Sequence, residues 1–328
     1  MNSFVKIIFC ILMFSSPAYS QSKQQPKLIQ KQILPDTVKA GIYILSVFDL
    51  NFPGNQLNAD FYFWYNYKND SLKPAETFDL IDAKNFTKSG EVLEKHGDIN
   101  YQTFRCNSVI KEDWDVMDFP FDSHIIEIEI EDVEKENNKL VFMPDIIGSK
   151  IDKNISIPGW EISNFKIRES EHSYETNYGD PSSKEKEHST FSRLTASFTI
   201  KRQGSGLFFK LFIGLFISVL ISLLTFFISP TDLDPRFGLP VGAIFAAIAS
   251  QYVINSSLPQ NAAITLVDKL YGISFIYIYF CVLLSTVSLY HYRRGREHIS
   301  ALIDKYSFYL IAASYVIFIV VFILVSVH

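Results

Sequence analysis

The run Phe61-Tyr62-Phe63-Trp64-Tyr65-Asn66-Tyr67 is almost wholly aromatic. Ring faces attract cations, so a cluster of this kind can hold an amine. More commonly an aromatic strand serves a core or a subunit interface. A second group, Glu127, Glu129, Glu131, Glu134 and Glu136, has the hard oxygens that calcium takes. Such an acidic row is more often the solvated face of a strand. His124, His172 and His188 add groups that titrate near neutral pH. No nucleophile–base grouping, metal-ligand spacing or nucleotide loop stands out, so catalysis has no residues to rest on and no cofactor is implied. A net charge of -5 gives no electrostatic reason to expect nucleic acid as a partner.

These residues all precede a marked change in the chain. Charge is concentrated up to about Arg202, and four long apolar segments follow, at about 207–229, 237–258, 269–291 and 305–327. Each is near the roughly 20 residues that a bilayer core requires. Residues 1–20 read as a secretory signal: Lys6, an apolar run from Ile7 to Phe14 too short to span, then Ala18-Tyr19-Ser20 as a cleavage site. Residues 21–203 then form an exported domain and 204–328 a membrane domain. The mature chain keeps Cys106 and Cys281, one in each part, so no internal disulfide is expected. Export of the N-terminus puts the connector His291-Tyr292-Arg293-Arg294-Gly295-Arg296 inside, where the positive-inside rule also puts it. The C-terminus falls outside, and the expected location is an inner (plasma) membrane with multiple crossings.

The exported part reads as strands. From His124 to Glu131, Ile126, Ile128 and Ile130 alternate with glutamates, and Leu194–Ile200 alternates similarly. Ile42, Ile44 and Ser46 do so less cleanly. Period two denotes half-buried strands. Several such runs between Pro-, Gly-, Asn- and Asp-bearing loops predict an antiparallel β-sandwich. Polar 170–189 predicts a long exposed hairpin loop. The expected fold class is thus an α+β membrane protein, with an immunoglobulin-like sandwich followed by a four-helix transmembrane bundle.

The stretch Asp115-Val116-Met117-Asp118-Phe119-Pro120-Phe121-Asp122-Ser123-His124 resembles the loop that identifies Cys-loop receptors, with its Phe-Pro-Phe-Asp centre. Two cysteines flank that loop in eukaryotic members; Glu112 and Ile126 stand there in this chain, and bacterial members also lack the disulfide. With an Arg-ended strand and four membrane segments following, the chain resembles a prokaryotic pentameric ligand-gated ion channel over nearly all its mature length.

The resemblance implies a homopentamer whose second membrane helix lines a pore for permeant ions. Arg202 falls where the family keeps an arginine, and the resemblance implies a buried pair with Asp122, costing about 3–5 kcal/mol to break. The family's proline in the first membrane helix falls at Gly214. Leu258-Pro259 resembles the end of the pore helix. Counting back from it gives a stripe of Gly238, Gly242, Phe245, Ala249, Tyr252 and Ser256, spaced by four and three. Ala243, Ala246, Ala247 and Ser250 are expected to pack against neighbouring helices. Phe245 would be the gate, closing by dewetting. Asp234, with Asp232, falls where cation-selective relatives place an acidic ring, while Pro235 and Arg236 fit anion-selective ones; the balance goes to cations.

In the family, agonists bind between subunits in a box of aromatic residues. The matching positions are Tyr62 and Trp64 on the aromatic strand, Phe86, Tyr174 and Tyr178, with Val133 where many receptors carry tryptophan. Val133 argues against an amine box and leaves a proton, a divalent cation or another small molecule as stimulus. The loop Phe119–Asp122 and the turn Phe52-Pro53-Gly54 would press on the linker Leu258–Val267 and tilt the second helix. Two rivals are a non-conducting membrane-anchored sensor, for which the connectors are too short to hold an effector, and a membrane-embedded enzyme or transporter. For the latter, charge inside the membrane segments would mark a proton or substrate path, and none is read there apart from Lys210, Asp268 and Lys269 near the ends.

Overall fold

The computed structural model describes residues 34–181, 188–260 and 263–326. The expected signal segment 1–20 and part of the polar loop lie outside the described residues. Among the described residues, ten strands precede four long helices. The strands are β1 (Asp36–Asn51), β2 (Gln56–Tyr67), β3 (Phe78–Leu80), β4 (Ala83–His96), β5 (Ile99–Lys111), β6 (Ser123–Asp132), β7 (Leu140–Pro144), β8 (Lys150–Ile151), β9 (Trp160–Tyr174) and β10 (Ser189–Arg202). One sheet has the order β4-β5-β2-β1-β7 with β8 also on β1, and the other β3-β6-β10-β9.

The alternation seen in sequence sets the inward faces. Phe61, Phe63 and Tyr65 of β2 and Ile126, Ile128 and Ile130 of β6 are all fully buried, and residues of both sheets belong to one apolar cluster. The weaker pattern around Ser46 has a cause: a bulge between Ile44 and Ser46 shifts the register, so Val47 turns inward. Antiparallel pairing was expected throughout, but β1 runs parallel to both β7 and β8. The chain leaves β6 in the other sheet and crosses back beside Asp36, whose N–H donates to Lys139 O at 2.8 Å, so β7 enters alongside β1 in the same direction. The expected loop 170–189 is also shorter than its polarity suggested. Ser170–Tyr174 pairs with β10 up to Ser189, because the polar side chains there sit on the strand's outward face.

The helices are α1 (Gly204–Leu223, continued by a 3-10 turn Leu224–Phe227), α2 (Leu233–Asn255), α3 (Leu266–Arg293) and α4 (Glu297–Ser326). All four are long and apolar enough to cross a membrane, and α2 has the lowest mean hydropathy. Three start earlier than their apolar segments by three or four residues, and α4 by eight. Apolarity marks the stretch suited to a bilayer, whereas a helix continues into polar turns. In α2 the extra turn carries Asp234 and Pro235, which a first turn tolerates because its N–H groups have no intrahelical acceptor. Thr265 and Asp268 form a reciprocal cap that fixes the start of α3. Hydroxyls bridge the helices: Ser250 to Tyr271 at 2.8 Å, Ser274 to Tyr315 at 3.0 Å and Ser288 to Ser300 at 2.7 Å. The main apolar cluster runs from the sheets into the near end of the bundle through Phe208, Phe212, Leu258 and Tyr271. Cys106 and Cys281 are buried and free.

Candidate functional site

Where β10 meets α1, Arg202 binds Asp122 in a forked pair, Nε to Oδ1 at 2.7 Å and Nη2 to Oδ2 at 3.0 Å. The backbone N–H of Arg202 also donates to Asp122 O at 3.1 Å. The guanidinium lies over the rings of Trp160, Phe52 and Phe119, at 4.0, 4.8 and 4.9 Å from their centres. His124 Nε2 meets the second Asp122 oxygen at 2.8 Å. That imidazole is held by Trp114 at 5.0 Å, and Trp114 stacks on Phe52 at 4.4 Å. Burial alone would raise the Asp122 carboxyl, but the hydrogen bonds from His124 and Arg202 and the arginine charge outweigh it and hold the pKa below the usual carboxylate range.

The same loop touches the helices. Met117 O accepts from the N–H of Leu266, the first residue of α3, at 2.8 Å. Phe121 stacks on Phe208 of α1 at 5.7 Å. Pro120, joined to Phe119 by a cis bond, places its carbonyl where a Cβ at position 204 would come within 2.1 Å of it. Only glycine fits there. Phe119, Pro120, Phe121, Asp122 and Arg202 therefore meet at one junction, and Leu258 is buried in the adjoining cluster with Pro259 half-buried beside it. Phe52 packs inward on Trp114, His124, Trp160 and Arg202. Nothing in the sequence marked Trp114 or Trp160 as parts of this cage, since they lie far apart in the chain.

Along α2, Gly238, Gly242, Phe245, Ala249, Tyr252 and Ser256 are all exposed in the single chain, as is Asp234 in the first turn. Phe245 is 68% and Tyr252 75% accessible. The opposite face carries Arg236, Pro240, Ala243, Ala247 and Ile254, all buried. Ala243 and Ala247 pack as expected; Ala246 is exposed, because it lies next to Phe245 on the helix's outward side. Ser250 faces Gly214 of α1, where a Cβ would sit 3.5 Å from its hydroxyl. A Cβ at position 214 would therefore make only an ordinary contact.

Arg236, read in sequence as a charge near a pore mouth, is instead fully buried. Its Nη2 donates to Asp304 Oδ1 of α4 at 2.6 Å and its Nη1 to Ile228 O at 2.5 Å, while Nε finds no acceptor among the described residues. Asp304 lies outside the apolar segment, so hydropathy could not pair the two.

The six aromatic-box positions fall on two separate parts of the chain. Tyr62, Trp64 and Phe86 belong to the β1-containing sheet, while Tyr174 and Tyr178 lie at the end of β9 and just beyond, and Val133 just after β6. Tyr62 is exposed. Trp64 shares its face but is occupied: the indole lies against Gly41 and Gly148 and donates to Asp145 at 3.2 Å. Phe86 packs edge-on against Phe78 and the core. Val133 is exposed, its N–H bonded to Thr77 O at 3.0 Å.

Tyr174 sits 5.8 Å from Tyr178, with Phe191 and His172 beside it. Its hydroxyl donates to Glu131 and accepts from Arg193, both at 3.0 Å, and burial next to Glu131 pushes its pKa up to about 12. Arg193 in turn bridges Glu129 and Glu131. The acidic row is therefore no simple solvated face: Glu131 is buried and Glu127 pairs with Arg168 at 3.2 Å. Cross-strand register puts Arg193 opposite Glu131, which period counting within β6 cannot reveal. Among the described residues no group of three or more His, Cys, Asp or Glu side chains could hold a metal ion.

No protein-family model matches this chain, and no curated protein matches it either.

Proposed function

We propose that this chain is one subunit of a homopentameric ligand-gated ion channel of the prokaryotic type, with α2 lining a cation pore. The observation that carries the reading is the α2 stripe: all six positions counted back from Leu258-Pro259 are exposed together, while the opposite face is buried. Such a face, small and polar except for two rings, suits contact with water or with copies of itself better than with lipid. In this reading the two sheets close an immunoglobulin-like sandwich outside a bacterial inner membrane, and the C-terminus is also outside. Five Phe245 rings close the pore by dewetting, and five Asp234 carboxylates favour cations at its mouth.

The junction supports transmission. The loop Asp115–Asp122 is tied to β10 through Arg202 and to α3 through Met117 O, so a displacement of the sheets reaches the start of α3 by a continuous chain of bonds. A small molecule, proton or divalent cation with different affinities for two arrangements would shift their populations. The division of aromatic positions between two parts of the chain suits a site formed by two neighbouring subunits, with Tyr62 on one and Tyr174 and Tyr178 on the other. Purified protein in planar bilayers tests the proposal. Cation-selective single-channel currents under pH, calcium or amine screens are expected, with a Phe245→Ala variant open more of the time. Silence of both proteins under all screens would overturn it and leave a non-conducting sensor.

A further inference from the structure

At the end of the bundle away from the sheets, a cavity of about 570 Å³ opens between the turn that ends α1 and the first turns of α4. Its charged lining residues all come from one stripe of α4. Glu297 and Asp304 are seven residues apart, so they stand two turns apart on one face, with Lys305 beside Asp304. Asp304 is nine-tenths buried, its Oδ1 accepts from Arg236, and no donor reaches its Oδ2 among the described residues. Glu297 and Lys305 have no ion-pair or hydrogen-bond partner among the described residues. Ser229 and Tyr309 add hydroxyls, and Phe227 and Phe308 form an aromatic wall, edge to face at 4.8 Å.

We propose that this cavity holds the headgroup of a phospholipid carrying a primary ammonium, of the ethanolamine type. The cavity lies where four membrane-length helices end, which is the headgroup level of a bilayer, and aromatic residues favour that depth. Its lining carries two carboxylates and one lysine, so it is acidic rather than basic. Lys305 offers one cation to a phosphodiester, with Tyr309 as a further donor, while the Ser229 hydroxyl is shared with Thr231 at 2.7 Å. Glu297 and the free oxygen of Asp304 offer acceptors to an ammonium, with Arg236 neutralising Asp304 from behind. An anionic headgroup would meet two carboxylates against a single lysine. A choline headgroup has no N–H to donate to Asp304. An ammonium has three, and it can use both carboxylates.

The test uses the full chain in nanodiscs containing equal parts of ethanolamine, choline and glycerol phospholipids, with the lipid retained after mild detergent extraction read by native mass spectrometry. Retention of ethanolamine lipid about threefold above each of the others is expected, a ratio in the range of one partly exposed ion pair. Glu297→Gln removes a carboxylate that only the ammonium uses, and Ala301→Phe fills the cavity without touching a charge; each should bring that ratio towards unity. Correct folding of each variant is judged by an unchanged elution volume. Equal retention of all three lipids by the wild type, a preference for the glycerol lipid, or a preference that persists in both variants would overturn the proposal. The readout needs no ion current, so it stands or falls separately from channel function.

Discussion

Two arginines, Arg202 half-buried and Arg236 fully buried, hold opposite ends of the first helical segments, and they are built differently. Arg202, at the junction with the sheets, gives Nε and Nη2 to Asp122, lies against three aromatic rings, and shares its carboxylate with His124. Arg236, at the far end, has a single carboxylate oxygen, a backbone carbonyl and an unpartnered Nε, with no exposure to solvent. The first pair is redundant: removing the arginine still leaves Asp122 with a donor. The second is not. Electrostatic cost therefore concentrates at the end of the bundle where sequence gave least warning.

The largest effect is expected at Asp304. Asp304→Ala strands the Arg236 guanidinium inside the bundle, and a loss of about 3–5 kcal/mol is expected in thermal or denaturant unfolding of the detergent-solubilised protein. The double variant Arg236→Met/Asp304→Leu should recover most of it, since an apolar pair of similar volume needs no partner. A double variant as damaged as the single one would show that packing, not charge, is what the pair supplies.

At the junction, Arg202→Gln is expected to cost less, about 2–3 kcal/mol, because His124 still reaches Asp122. Adding His124→Ala should then cost more than it does alone, which a double-mutant cycle would read. The junction should also be acid-sensitive. The Asp122 pKa is lowered in the folded chain, so its contribution is complete above the ordinary carboxylate value of about 3.9 and is lost as pH falls through the lower folded value. Glu112 behaves oppositely. Burial, helped by Asp113, Asp82 and Glu127, raises it to about 7, so the folded chain keeps a proton that the unfolded chain has released. Stability should fall as pH rises from about 4.3 towards 7 and then level off. Unfolding midpoints across pH, with Glu112→Gln removing only the second trend, would check both signs.

Gly204→Ala tests the junction's close approach without altering charge. The added Cβ must displace the Pro120 carbonyl, and a loss of about 1–3 kcal/mol is expected in the same unfolding assay. Gly206→Ala, where a Cβ meets nothing within 4 Å, is the control and should be near neutral.

How much of this was legible follows from the range of each interaction. Ile126, Ile128 and Ile130 declare their buried face because period two is local, and the α2 stripe follows from helical spacing once its end is placed by Leu258-Pro259. The Asp122–Arg202 pair required a resemblance, since 80 residues separate the partners. Its cage, and the Arg193 bridge to Glu129 and Glu131, depend on which strands become neighbours, and no local pattern encodes that. Asp304 was hidden for another reason: it belongs to a polar start of α4 that hydropathy excludes. The parallel placement of β7 beside β1 reflects a crossover whose direction is set by the assembled sheets.

The smallest effect concerns a single hydroxyl and also ties the Arg236 end to the exposed stripe of α2. In a helix the Arg236 carbonyl would accept from residue 240, but that residue is proline and has no N–H to give. Thr225 Oγ1 donates to the Arg236 carbonyl instead, at 2.5 Å, from outside the helix. The hydroxyl thus completes a bond that α2 cannot make for itself. Thr225→Val keeps the shape and orphans the carbonyl, with an expected loss of about 1–2 kcal/mol, within the range for an unsatisfied buried acceptor. In a Pro240→Ala background the helix supplies its own donor, so the same change should cost well under half as much. If Thr225→Val costs the same in both backgrounds, the hydroxyl acts through Ser285, 3.2 Å away, and the proline is not what it compensates.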